Sequence, residues 1–336
     1  MMKKLRNAGI IGTGSCLPDK IVTNQDMEKI VDTTDEWVKT RTGISERRMT
    51  DENTATSDLA TVAASRALEN AGLGPEEIDL ILVATVTPDV MFPSTACIVQ
   101  DNIGAINAAA FDLEAACSGF LYGLAVAENF IKTGYYKNVL VIGAETLTKL
   151  VDFTDRNTCV LFGDGAGAAI VSEVPEGYGI LSSYIGADGK GGKLLTVPAG
   201  GSRIPSSVES VLNRLHYVKM DGKEVFKFAV KIMGDAAEKA LEKCGLDKED
   251  IDFLIPHQAN RRIIDASIKR LKMPNEKVYI NLDKYGNMSS ASVAVAIDEA
   301  SRKGLLKDGD TIVLVGFGGG LTWGSAVLKW KSIGRD

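Results

Sequence analysis

Apolar residues along this 336-residue chain follow two alternating patterns. Short, nearly unbroken runs of Val, Ile and Leu recur at Leu80–Thr85, Val139–Gly143, Ala168–Val171, Phe253–His257, Ile312–Gly316 and Ser325–Leu328. Such runs predict strands covered on both faces. Between them lie longer stretches with apolar residues every three or four positions, several ending at glycine, which predict amphipathic helices. Strands alternating with helices place the chain in the α/β class.

The pattern occurs twice. Ala64–Asp79 and Ala237–Asp252 align at a shift of 173 with nine identities, each reading as helix, glycine stop, acidic turn and strand. A weaker echo aligns Ala110–Gly134 with Ile280–Gly304 at a shift of 170, which sets Cys117 opposite Asn287. The strand pairs Val139–Gly143 with Ile312–Gly316, and Ala168–Val171 with Ser325–Leu328, complete the correspondence. Two related halves are expected, 1–175 and 176–336, with the seam near Glu173–Gly179. Gly186–Lys219, rich in Gly, Ser and Pro, reads as an insertion over a site.

Composition narrows the classes. The 45% hydrophobic and 24% charged content is that of a soluble globular protein. No apolar run reaches the roughly 18 residues of a membrane span, and Met1–Leu5 opens no leader-like segment. Five scattered cysteines without a Cys-x-x-Cys pair argue against a disulfide framework and a zinc site, so a cytoplasmic setting is expected. A net charge of −6 disfavours nucleic acid as a partner. Basic residues nevertheless cluster locally, as Arg262, Lys269 and Lys272 (with Asp265 among them) and as Lys223, Lys227 and Lys231, each set on one helical face.

Four segments carry candidate chemistry. Cys117, in Ala115–Phe120, stands where a strand turns into an apolar helix, so a helix N-terminus can favour its thiolate. Small neighbours Ala116 and Gly119 leave room for a carbonyl; Cys16, Cys97, Cys159 and Cys244 read as ordinary core cysteines. His257, one of only two histidines, ends a strand, where open α/β sheets keep their chemistry. Asn287 follows Gly286 in a turn opening a helix; a helix cap would explain it equally well by itself. Together, His257 and Asn287 would put two donors on one thioester oxygen. Gly316–Gly320 follows a strand and lacks the Lys-Ser/Thr of a phosphate loop. Backbone N–H groups of Cys117 and Gly319 can form an oxyanion hole there.

In this order and spacing, Ala115–Phe120, Pro256–Asn260, Tyr285–Ser292 and Phe317–Ser325 resemble β-ketoacyl-acyl-carrier-protein synthase III over essentially the whole chain. The resemblance implies a thiolase-like fold, duplicated α/β halves in five α/β/α/β/α layers, and a homodimer. It implies a Cys117–His257–Asn287 triad and coenzyme A or substrate contacts from Trp37, Arg41, Arg156, Phe226, Asn260 and Phe317. Phe92 matches the residue that closes a neighbouring subunit's acyl pocket. Gln258, Ala259, Asn260, Arg261 and Arg262 match the carrier-protein patch. The implied reaction initiates type II fatty-acid synthesis. Acyl-coenzyme A and malonyl-acyl-carrier protein give β-ketoacyl-carrier protein, coenzyme A and CO2 through an acyl-cysteine. Coenzyme A thioesters are then substrates, and no resident cofactor is implied.

Two other readings use the same residues. A papain-like hydrolase also orders Cys, His and Asn, but no aromatic residue directly follows Cys117 and the internal repeat argues against it. Another thiolase-fold condensing enzyme, of polyketide or hydroxymethylglutaryl-coenzyme A synthase type, would show a proline in the last glycine loop or an extra catalytic glutamate.

Overall fold

A computed structural model describes residues 5–333; Met1–Lys4, on which the reading of no leader mostly rested, lie outside them. Among the described residues the first sheet contains β1 (Asn7–Cys16), β2 (Leu80–Ala84), β3 (Ala109–Leu113), β4 (Asn138–Thr146) and β5 (Asp164–Val174). Their spatial order is β1-β5-β4-β2-β3. The second contains β6 (Gly179–Ala187), β7 (Phe253–Pro256), β8 (Thr311–Gly318) and β9 (Thr322–Lys329), in the order β7-β8-β9-β6.

The two sheets share one wiring. In the first, β5 runs antiparallel to β1 and β4, while β2 is parallel to β4 and β3. In the second, β9 runs antiparallel to β6 and β8, while β7 is parallel to β8. Even the register repeats. Leu80 pairs with Val139 and Phe253 with Ile312, so both partners shift by the 173 residues read from the sequence. Where the first sheet adds β3, the second keeps a single parallel bridge, Leu254 to Val278.

The principal helices are α1 (Asp35–Thr42), α2 (Thr56–Ala71), α3 (Thr95–Ile103), α4 (Gly119–Thr133), α5 (Gly222–Cys244), α6 (Arg261–Leu271) and α7 (Ala291–Arg302). The repeated glycine stops are the left-handed caps Gly72 (φ 68°) and Gly245 (φ 72°), a conformation that glycine adopts without a Cβ clash.

Strand alternation builds the layers. Ile81, Val83, Leu140 and Ile142 point to one side of the first sheet, onto α2 and α3. Leu80, Leu82, Val139 and Val141 point to the other, onto α4 and α7. Ile312 and Leu314 meet those same two helices from the second sheet. Val313 and Val315 face away, onto α5 and α6. The order is therefore helix, sheet, helix, sheet, helix. In α4, Phe120, Leu121, Leu124 and Ile131 are at most 1% exposed. At about 1.5–3 kcal/mol per buried large apolar side chain, sandwiching between sheets holds this helix more strongly than helix propensity could.

Three expectations change. Cys117 does not open α4; it lies in a 3-10 turn, Ala116–Ser118, just ahead of it. Cys97 is exposed and Cys16 and Cys244 are half-buried, leaving Cys159 as the fully buried core thiol of those four. The 186–219 segment is not merely a loop. It supplies Leu195–Thr196 and Lys219 of the ribbon that pairs Leu195–Thr196 with Lys219–Met220, and a short helix, Val208–Leu212.

Candidate active site

The buried helices α4 and α7 are each preceded by a turn in which one non-glycine residue takes a left-handed conformation, Ala116 (φ 46°) and Ser289 (φ 45°). These turns bring Cys117 and Asn287 to a common cavity. It is lined by Cys117, His257, Asn287, Phe226, Asn260 and Phe317, among others. Leu195 and Met220 of the inserted ribbon form part of its wall.

His257 follows β7, its own N–H donating to Val315 O at 2.7 Å. Its Nδ1 lies 2.6 Å from Ser292 Oγ, while Nε2 is buried without a partner. Phe317 packs edge-on at 5.7 Å between ring centroids. Burial pushes the imidazole down to about 3, so the ring is neutral. The same burial pushes the Cys117 thiol up to about 12, against a smaller opposing effect of the Ser289 hydroxyl. Burial therefore outweighs the expected thiolate-stabilising helix end. Both groups rest uncharged.

Asn287 is not a helix cap, because α7 starts at Ala291 with Ser290 as the preceding residue. Its Oδ1 accepts from Ser289 N–H at 2.8 Å, and its backbone is tied to Leu161 O and Gly163 N–H. The end of β8 reaches the Cys117 turn directly, since a Cβ on Gly318 would stand 2.5 Å from Cys117 N. Ser289, Ser290 and Ser292, not singled out by the motif reading, thus contact or flank all three candidate groups; their spacing around Asn287 was the available signal.

Outside the cavity the predicted residues divide. Arg41 and Arg156 stack on Trp37 at 4.8 and 5.1 Å, and Asn260 Nδ2 donates to Arg41 O at 3.0 Å, joining that cluster to the cavity rim. Arg262 lies over Phe226 at 4.9 Å. Arg261 pairs with Asp265 at 2.7 Å. Arg262, Lys269 and Lys272 are exposed along α6 and its end, and Ala259 is half-buried at the cavity wall. Phe92 is 85% exposed, away from this chain's own cavity. Gln258 departs from the expected patch. It is 0% exposed, with Nε2 on Pro256 O and Tyr279 O and Oε1 accepting from Asn281 and Leu282 N–H. A carrier protein cannot reach it; it ties the His257 segment to the next turn.

Comparison with known proteins agrees with this architecture. The family description "3-Oxoacyl-[acyl-carrier-protein (ACP)] synthase III" matches residues 111–189, and its C-terminal counterpart matches residues 241–330. The chain is 68% identical to the beta-ketoacyl-[acyl-carrier-protein] synthase III of Caldanaerobacter subterraneus subsp. tengcongensis, over 96% of this chain and 98% of that protein. It is 59% identical to that of Desulfitobacterium hafniense strain Y51, over 98% and 99%. Among solved structures, the 3-oxoacyl-[acyl-carrier-protein] synthase III of Aquifex aeolicus VF5 matches with a TM-score of 0.90 and 49% identity, covering 96% of this chain and all of that one. The duplicated five-layer sandwich is thus the thiolase fold of the condensing acyltransferases. Within that class, the chain belongs to the β-ketoacyl-acyl-carrier-protein synthase III family. Its reaction is the condensation that initiates fatty-acid synthesis.

Proposed function

We propose that the reaction proceeds on Cys117 in two half-reactions. Acyl-coenzyme A enters past Trp37, Arg41, Arg156, Phe226 and Asn260, and Cys117 Sγ attacks its carbonyl. The backbone N–H groups of Cys117 and Gly319 hold the developing oxyanion. The C–S bond to coenzyme A breaks, the thiol proton leaves with the departing sulfur, and an acyl-cysteine remains. Malonyl-acyl-carrier protein then binds and loses CO2. The enolate oxygen takes hydrogen bonds from His257 and Asn287, and its carbon attacks the Cys117 thioester. Cys117 departs as the new C–C bond forms.

The observation that carries this reading is the pairing of an unpartnered, buried His257 Nε2 with Cys117 and Asn287 on one cavity. Ser292 Oγ lies 2.6 Å from His257 Nδ1 and accepts from Gln258 N–H at 3.4 Å, and in this reading its own hydrogen is donated to Nδ1. The ring hydrogen then sits on Nε2, as an oxyanion donor needs. Asn287 Oδ1 is engaged by Ser289, which leaves the amide NH2 for the substrate. The chemistry is that of thioesters and needs no resident cofactor.

The carrier protein docks on Ala259, Asn260, Arg261 and Arg262, extended by Lys269 and Lys272. The assembly is a homodimer through the edge strand β3, whose Phe111 is 42% exposed, with Phe92 entering the neighbouring acyl pocket. Among the described residues no helix is long and apolar enough to cross a membrane, and we place the enzyme in the cytoplasm with its substrates. Mass spectrometry after incubation with acetyl-coenzyme A tests the reading. One acyl adduct on Cys117, lost in Cys117→Ser, is expected; an adduct on another cysteine overturns it.

A further inference from the structure

One carboxyl group lies buried beside the nucleophile turn and has no place in the reaction above. Glu145, near the end of β4, is 0% exposed. Its Oε2 accepts from Thr87 Oγ1 at 2.8 Å, Val86 N–H at 3.1 Å and Thr85 Oγ1 at 3.2 Å. Its Oε1 stands 2.9 Å from Ser290 Oγ. None of these partners is charged. A charge on this carboxyl would act on Cys117, raising the thiol's pKa.

The hydrogens can be counted. Ser290 Oγ is also 2.7 Å from Ala84 O. A carbonyl oxygen has no hydrogen to give, so the single hydroxyl hydrogen of Ser290 lies on that contact. The contact between Ser290 Oγ and Glu145 Oε1 then needs a hydrogen from the carboxyl. Oε2, facing three donors, is the acceptor, and Oε1 carries the proton.

The internal repeat shows what this group replaces. Subtracting 173 from His257, Gly318 and Ser290 gives Ala84, Glu145 and Cys117. The reacting half has Cys117 beside Gly318 and His257; the silent half has Ser290 beside Glu145 and Ala84. A side-chain carboxyl stands where the reacting half has a glycine, against which the Cys117 backbone packs too closely for a Cβ.

We propose that Glu145 is a neutral carboxylic acid and a positioning residue. Its O–H to Ser290 anchors the turn from Asn287 to Ser290, and its lack of charge spares Cys117 a buried like charge when the thiolate forms. Burial, the largest influence on this carboxyl, pushes its pKa upward, in keeping with a retained proton. The role for Cys117 rests on the nucleophile assigned above; the protonation state does not.

The test separates the two. In protein labelled with carbon-13 at glutamate carboxyls, one resonance should sit at the protonated position at pH 8 and vanish in Glu145→Gln. Glutamine reproduces the donor and the acceptor, so Glu145→Gln should acylate within about threefold of wild type. The apparent pKa of its Cys117 alkylation by iodoacetamide should stay within about half a unit. Glu145→Ala should lose acylation and condensation at least tenfold. Absence of a protonated glutamate carboxyl in the wild-type spectrum overturns the proposal, whether or not the variants fold. So does a Cys117 pKa that drops by about a unit or more in Glu145→Gln, the sign of an ionised neighbour removed. Failure of Cys117 to form an acyl adduct would instead strike the reaction scheme and leave the carboxyl spectrum unaffected.

Discussion

Ala116 and Ser289, 173 residues apart, hold the same left-handed backbone conformation, φ 46° and 45°, each in the turn that enters a buried central helix. The conformation is unfavourable for a residue with a Cβ, by about 1–3 kcal/mol, and persists because tight packing on both sides fixes it. The residue after Ala116 is Cys117; the residue after Ser289 is Ser290. The backbone therefore sets Cys117 opposite Ser290, not opposite Asn287 as the weak echo at a shift of 170 suggested. Duplication produced two equivalent elbows, and the proposed nucleophile stands at one.

Gly318→Ala tests how tightly the first elbow is held. The added Cβ would meet Cys117 N at 2.5 Å and Ala116 Cβ at 3.1 Å, and neither belongs to a flexible side chain. The turn must move, at a cost of about 1–3 kcal/mol, and a shift of a few tenths of an ångström misplaces the sulfur. Acylation should fall about 100-fold while far-ultraviolet dichroism is retained. Gly189→Ala, where a Cβ meets nothing within 4 Å, is the control. Near-normal acylation in Gly318→Ala would show that the elbow has slack.

Ser292→Ala should separate the half-reactions. Ser292 lies on α7 and touches His257 Nδ1 at 2.6 Å, and Cys117 does not depend on it. Losing a buried hydrogen bond costs about 1–2 kcal/mol and frees the tautomer, so condensation should drop roughly tenfold or more. Formation of the acyl-cysteine should change by less than about threefold by mass spectrometry. An equal loss in both steps would mean that Ser292 supports the cavity as a whole.

Much of this arrangement was legible because burial leaves a periodic imprint. Leu80–Thr85 and Phe253–His257 read as strands since both faces of each are covered, and the shift of 173 reappears as hydrogen-bond register. Cys117, His257 and Asn287 were legible as rare or turn-flanked residue types at strand and helix ends. The serines were not, because a serine near a helix start has a local capping explanation that hides a tertiary contact such as Ser292 to His257. Gln258 was misplaced for another reason. The family resemblance carried the whole run Gln258–Arg262 onto the carrier-protein patch, and only the fold shows four backbone partners enclosing Gln258. The thiol's acidity was misread because a helix end is visible in sequence, whereas the enclosure that outweighs it is not.

The buried imidazole makes stability depend on pH. His257 sits at about 3 in the folded chain against 6.5 when unperturbed. Between those values the unfolded chain takes up a proton that the folded one refuses, so this contribution is full above pH 6.5 and lost as pH falls. The slope is about 1.4 kcal/mol per pH unit for one proton. Urea unfolding at pH 7.5 and pH 5.0 should therefore show wild type losing about 2 kcal/mol relative to His257→Gln. A constant difference between the two proteins would show that water reaches the ring.

Carrier recruitment calls for a local explanation, because the chain carries a net charge of −6 and a carrier protein of this kind is expected to be acidic as well. Arg262 is exposed on the first turn of α6, its guanidinium spread over Phe226 at 4.9 Å beside the cavity mouth. A rim charge in that position mainly sets the association rate and its salt dependence. Arg262→Glu should raise the KM for malonyl-acyl-carrier protein about tenfold and flatten the salt dependence, while acylation by acetyl-coenzyme A changes by less than about threefold. Trp37→Ala should behave in the opposite way, since Trp37 stacks with Arg41 and Arg156, the cluster proposed to take coenzyme A. It should impair acylation first and leave the carrier KM nearly unchanged. If Arg262→Glu weakened both substrates equally, α6 would be contributing its arginine to coenzyme A phosphate or to the placement of Phe226, and the carrier surface would have to be sought elsewhere.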